Sequence, residues 1–187
     1  MRKGLGLLLA LALMAPFGVM FAGQAGSATP IVKCKALKAI ETWSKPLPPI
    51  TGPTASTKVS GTIKLTSTIT GCSGVPGITS GTSNSTTPYT NQNCTTLITS
   101  LSKPSATKGV IKWNNGKTTN ILDTLTQTSK VGAIPIVLKL VSKYTAGVSA
   151  GHTVTSTLNA TLNSPKACLS VPLSKATAKS VGTAKYS

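Results

Sequence analysis

The chain has 187 residues, of which nineteen are Lys or Arg, two are Asp or Glu and one is His, for a formal charge of +17. Two acids, one histidine and 4% aromatics leave little for acid–base catalysis, metal ligation or base stacking. The length suits one domain with a buried core.

Met1-Arg2-Lys3 is a short positive segment, and Gly4 to Ala22 is uncharged and mostly Leu, Ala, Met, Val and Phe. The small residues Ala22, Gly23, Ala25, Gly26, Ser27 and Ala28 follow. This is the layout of a secretory signal peptide, predicted over residues 1–28 with cleavage after Ala25 or Ala28. The apolar run is just long enough to span a bilayer, so an uncleaved anchor is the rival reading. Cys34 follows Ile31-Val32-Lys33 rather than a small-residue box, which argues against a lipoprotein. No later apolar run is long enough to span, so no transmembrane segment is expected after cleavage. Residues 29–187 are predicted to form one secreted, extracellular domain, with the cell envelope as a place of attachment. They hold seventeen lysines, no arginine, no phenylalanine and two acids, a formal charge of +15.

Ile31 to Trp43 reads as an extended first strand, although Cys34, Leu37, Lys38 and Glu41 also have helical spacing. Pro46, Pro48, Pro49 and Pro53 make the next stretch an irregular, polyproline-like connection. Val59, Gly61, Ile63, Leu65, Ser67 and Ile69 then alternate with Lys58, Ser60, Thr62, Lys64, Thr66, Thr68 and Thr70. That is a half-buried strand with a wet Thr/Lys face, and threonine's branched β-carbon suits it. Val110 to Trp113 is a further strand, and Asn114-Asn115-Gly116-Lys117 supplies hairpin chemistry. Asn120 to Thr128 should return antiparallel, with Ile121 and Leu122 competing to face inward. Ile134 to Tyr144 sets Ile136, Leu138 and Leu140 against Val137, Lys139, Val141 and Lys143. Thr153 to Leu162 alternates most cleanly, and a last strand runs near Ala176 to Tyr186. The predicted class is all-β, a disulfide-stabilised antiparallel β-sandwich or β-barrel.

Four cysteines in an exported chain imply two disulfides. Of three pairings, Cys72–Cys94 and Cys34–Cys168 are favoured. The first would close the Gly/Ser/Thr/Pro-rich stretch from Gly71 to Asn93, and the second would tie the two ends of the domain together. No Cys-x-x-Cys pair is present, so no metal site and no cofactor are predicted.

The run Gly71-Cys72-Ser73-Gly74, the later Cys94, and Ile111-Lys112-Trp113-Asn114-Asn115-Gly116-Lys117-Thr118 resemble a group of small secreted Ser/Thr/Gly-rich β-proteins of actinobacteria. The resemblance spans Thr57 to Leu162. It implies secretion and an all-β fold for a group without an established function, and it carries over no catalytic residues.

Asp123, His152 and one of many serines satisfy the composition of a Ser-His-Asp triad, but no Gly-x-Ser-x-Gly elbow nominates the serine. The plainer expectation is that Asp123 pairs with a lysine on a neighbouring strand and His152 sits in the Gly147–Gly151 turn. Paired-carboxylate glycoside hydrolysis would need Glu41 and Asp123 together, from segments far apart in the chain. No P-loop, dinucleotide fingerprint or His-Glu-x-x-His is present, so no enzyme is predicted.

Lysine carries the remaining signal. Lys64, Lys112, Lys139 and Lys143 are candidate binding residues on wet strand faces. Lys33, Lys35 and Lys38 cluster early, and Lys166, Lys175, Lys179 and Lys185 late. They serve solubility and edge protection, or attraction to an anionic envelope polymer or lipid headgroups. Nucleic acid is disfavoured, with no arginine for bidentate contacts. Trp113 is a candidate platform if exposed, but in register with Ile111 it packs into the core. The sequence thus predicts a secreted, non-enzymatic binding or structural protein with a lysine surface for anionic polymers. The alternative is a small-ligand or lipid-binding β-barrel, which the small inward residues Gly61, Ser156 and Ala160 permit.

Overall fold

A computed structural model describes residues 29–101, 105–128, 136–164 and 166–187. The leader predicted over residues 1–28 lies outside the described residues, as does the start of the Ile134 segment. The strands are β1 (Ala36–Leu47), β2 (Val59–Thr70), β3 (Ser80–Gln92), β4 (Ser105–Trp113), β5 (Thr118–Gln127), β6 (Ile136–Gly147), β7 (Thr153–Leu162) and β8 (Leu173–Tyr186). One helix, α1 (Cys94–Leu101), follows β3. Each strand pairs antiparallel with the next, and β8 returns to β1, so the sheet closes as a barrel. Between the two predicted architectures, the barrel is the one formed.

The alternation read from the sequence is the in–out pattern of this barrel. On β2, Gly61, Ile63, Leu65, Ser67 and Ile69 are partly buried, while Thr62, Lys64, Thr68 and Thr70 are exposed. On β7, Val154, Leu158 and Ala160 are buried between exposed Thr157 and Asn159. On β5 the competition goes to Ile121, which is buried, and Asp123 and Leu125 share its face.

Two packed clusters plug the barrel's ends. At the end where β1 begins, Val32, Ile78, Ile111, Trp113, Tyr144 and Val154 pack together. Residues preceding β1 cross this end. Val32 donates its amide to Ser149 Oγ (2.8 Å), and that hydroxyl donates to the Pro30 carbonyl (3.0 Å). The Trp113 ring, from the end of β4, packs over β3 because residue 81 is glycine; a Cβ there would sit 2.6 Å from the indole ring. At the other end, Trp43, Leu47, Tyr89, Cys94, Cys168 and Leu173 form the second plug.

Each plug carries one disulfide, and the pairing corrects the sequence expectation. The bonds are Cys34–Cys72 and Cys94–Cys168, not Cys72–Cys94 and Cys34–Cys168. The reason is register. Ala36 pairs with Thr70, so Cys34 and Cys72, each two residues beyond, fall opposite one another. Cys94 opens α1 at the far end of the barrel, where Cys168 precedes β8. The stretch from Gly71 to Asn93 needed no disulfide across its own ends, because most of it is β3, held by β2 from Thr70–Ser80 to Val59–Gln92. Two disulfides are the mark of an oxidising compartment.

Pairing along the barrel wall is uneven. β3 and β4 pair only at Gly81–Trp113 and Thr82–Lys112. Beyond those positions the strands part, leaving a seam with Ser83 and Ser85 on one lip and Thr107 and Gly109 on the other. Pro88, which has no amide hydrogen, lies on the seam-facing strand β3, as proline in sheets favours edges.

Peptide mapping of the oxidised protein is expected to give fragments joined through Cys34–Cys72 and Cys94–Cys168. Replacing Cys94 and Cys168 together by Ser should lower the unfolding free energy by about 4 kcal/mol in a denaturant titration, the chain-entropy value for a loop of that size.

Candidate functional site

Between the two plugs the barrel holds a cavity of about 350 Å³. An eight-stranded barrel is just wide enough to be filled by side chains or to hold one small ligand. Here the inward residues decide for space. Ser67, Ser83, Ser85, Ser142, Ser156 and Ser180 occupy positions where Leu or Ile would fill the interior. Leu37, Leu65, Ile69, Leu125 and Leu140 supply the apolar wall. The volume is at the lower end of the range for small-molecule pockets.

Both acidic residues of the chain line this cavity. Glu41 is on β1, sharing the inward face with Leu37 and Trp43; Asp123 is on β5, between Ile121 and Leu125. Burial pushes the Glu41 carboxyl above its ordinary range. Burial also raises Asp123, and a hydrogen bond from Ser142 offsets part of that. Asp123 Oδ1 is buried with no hydrogen-bond partner. Among the described residues, neither carboxyl has an ion pair with a lysine. Tyr144 lies beside Asp123, and burial, with Tyr186 and Asp123 nearby, pushes its hydroxyl well above the usual phenol range. It therefore stays protonated at physiological pH. Tyr186 closes the same end, its hydroxyl accepting from the Cys34 amide (2.6 Å) and donating to the Cys34 carbonyl (2.9 Å).

This arrangement corrects two expectations. Asp123 does not pair with a neighbouring lysine; it faces inward and bonds Ser142. Glu41 and Asp123, far apart in sequence, line one enclosure because closure wraps β1 and β5 around it. The signal was present in the alternation. Ile121, Asp123 and Leu125 share a parity, as do Leu37, Glu41 and Trp43, so each acid had to share the face of its apolar neighbours. No Ser-His-Asp arrangement forms around Asp123. His152 does not line the cavity, and its Nε2 lies 2.9 Å from the Thr29 carbonyl oxygen.

Lys64, Lys112, Lys139 and Lys143 are all exposed, on the outer faces of β2, β4 and β6. They do not converge. Lys64 instead joins lysines that the sequence placed in separate early and late clusters. Closure sets Lys38 directly opposite Lys179, and Thr42 lies between Lys64 and Lys175 in the same cross-strand row. The outer face of β2, β1 and β8 therefore carries Lys64, Lys38, Lys175 and Lys179. Trp113 is not available as a platform. It is 3% exposed, and its Nε1 donates to Thr119 Oγ1 (2.8 Å), which donates onward to the Val148 carbonyl (2.7 Å).

Among the described residues no group of three or more His, Cys, Asp or Glu could hold a metal ion, and no helix is long and apolar enough to cross a membrane. Comparison with known protein families, with curated proteins and with solved structures finds no match for the chain.

The two carboxyls give the fold an unusual pH response. Their folded-state affinities for protons exceed those of the unfolded chain, so between the unfolded and folded titration points the native state binds more protons. The stability they contribute is full below about pH 4, the ordinary carboxylate value, and is lost as pH rises through the raised folded values. The urea midpoint is expected to fall as pH rises above about 4, whereas Glu41→Gln with Asp123→Asn should flatten that slope and raise the midpoint at pH 7.

Proposed function

We propose that this protein is a secreted, non-enzymatic binding protein that encloses one small, largely apolar ligand inside its barrel. The observation that carries the reading is the cavity of about 350 Å³, walled by leucines and serines between the two packed clusters. A chain selected for stability alone would fill that volume, because unfilled interior forfeits packing. β3 and β4 pair at two positions only, and α1, in contact with β3 and β5, brings Ser100 to the cavity wall. The two disulfides support export.

Ser156 is inward and lines the cavity, so Ser156→Phe should occupy ligand space without breaking a backbone pairing. Native mass spectrometry with 1-octanol, a neutral probe, is expected to show one molecule bound to the wild type and none to Ser156→Phe. Absence of an adduct on the wild type, or equal binding by both, would overturn the reading.

A second reading has its own observation, the convergence of Lys38, Lys64, Lys175 and Lys179 on one face. Like charges placed directly opposite on paired strands repel, and an anionic envelope polymer would relieve that repulsion. Retention on immobilised polyphosphate should fall steeply with salt. Lys38→Gln with Lys179→Gln should weaken it more than the same change at Lys139 and Lys143.

A further inference from the structure

The geometry points to a ligand that carries a protonated amine, held against Asp123 and Glu41 inside the cavity. The inference rests on the cavity being a ligand site and names the class of molecule it takes. The chain has two acidic side chains in 187 residues, and both line this chamber, while its lysines offered many exposed positions where an acid would find a partner. Burying a carboxyl without a counter-charge costs several kcal/mol. Among the described residues no lysine meets that need. Asp123 accepts from Ser142, and its Oδ1 is buried without a partner. Glu41 has no hydrogen bond or ion pair among the described residues.

Neutral anchoring does not account for them. Ser67, Ser83 and Ser156 already present hydroxyls that donate and accept. What the carboxyls add is negative charge in an apolar enclosure, where attraction to a cation is several times stronger than in water. An incoming ammonium satisfies Oδ1 of Asp123 and restores the ionised carboxylate that burial disfavours. The leucine wall takes the apolar remainder of the molecule.

Lys35 and Lys108 touch the cavity margin and are exposed, so they define the opposite expectation. If they governed binding, an anionic ligand would be preferred. Both lie at solvent, where salt screens them within about 8 Å at physiological ionic strength, whereas the carboxyls are inside.

Three probes of one chain length separate these cases: octylamine, 1-octanol and octanoate, titrated calorimetrically into the oxidised protein at pH 7. Octylamine is expected to bind at least tenfold more tightly than 1-octanol, with octanoate weakest. The octylamine-to-octanol affinity ratio should collapse towards one in Asp123→Asn combined with Glu41→Gln, and fall partway in each single variant. Denaturant titration of the same variants confirms that they are folded. Equal or tighter binding of octanol by the wild type overturns the amine inference and leaves the cavity reading standing. Tightest binding of octanoate overturns it in favour of Lys35 and Lys108. An amine preference that survives both substitutions removes the carboxyls from the site. Binding of none of the three defeats the cavity reading itself.

Discussion

Without the hydrogen bonds between β1 and β8, the other seven strand pairings would leave an open, twisted sheet with its apolar face in water. Closure turns that face into an interior. It also sets a geometric limit, because an eight-stranded ring has a fixed width and its inward side chains either fill it or leave a chamber. Serine at six inward positions leaves one. The same closure brings the early and late lysines onto one outer face and carries β1 and β5 around one space, so both surfaces of interest follow from it.

The ends bear the burden of holding a barrel whose middle is underfilled. Each end combines a tryptophan, a disulfide and a loop tied back by hydrogen bonds. At one end Asn114 accepts from the Thr79 and Ser80 amides (2.9 and 3.1 Å) and fixes the start of β3. At the other the Cys94 amide donates to the Pro48 carbonyl (3.0 Å), and Ile50 donates to the Cys168 carbonyl (2.9 Å). The chamber shares its wall with this packing: Ile111, Ile121, Tyr144 and Val154 belong to the first cluster and line the cavity, and Leu37, Leu125 and Leu140 pack against a third cluster of Leu138, Leu158 and Ala160.

Much of this was legible in the chain. Strands with apolar residues on one parity, β2 and β7 above all, were read directly from alternation. β3 was not, because Ser80 to Gln92 is Ser, Thr, Asn and Gly on both faces, with Tyr89 as its one large side chain. It is a strand because β2 offers it a partner edge, a tertiary cause with no local signature. α1 was missed for a related reason: its threonines and isoleucine are weak helix formers. Its signal was the cap, where Asn93 Oδ1 accepts from the Thr96 amide (3.0 Å). The disulfide pairing needed the β1–β2 register, which alternation on each strand alone does not fix. The acids were misread because charge was weighed ahead of parity. Asp123 was expected to seek a lysine outside, while its place between Ile121 and Leu125 sent it inward.

Enclosure of both acids also shapes how the molecule behaves among its own kind. Its outer surface has lysine and no acidic side chain, so two copies have no pair of opposite side-chain charges to bring together. Dilute solutions at low ionic strength should be governed by mutual repulsion, with long-lived solubility and no electrostatic route to a dimer. Added salt shortens the range of that repulsion and lets the threonine-rich walls approach. In this molecule the sequestration of two carboxyls inside sets its colloidal character outside.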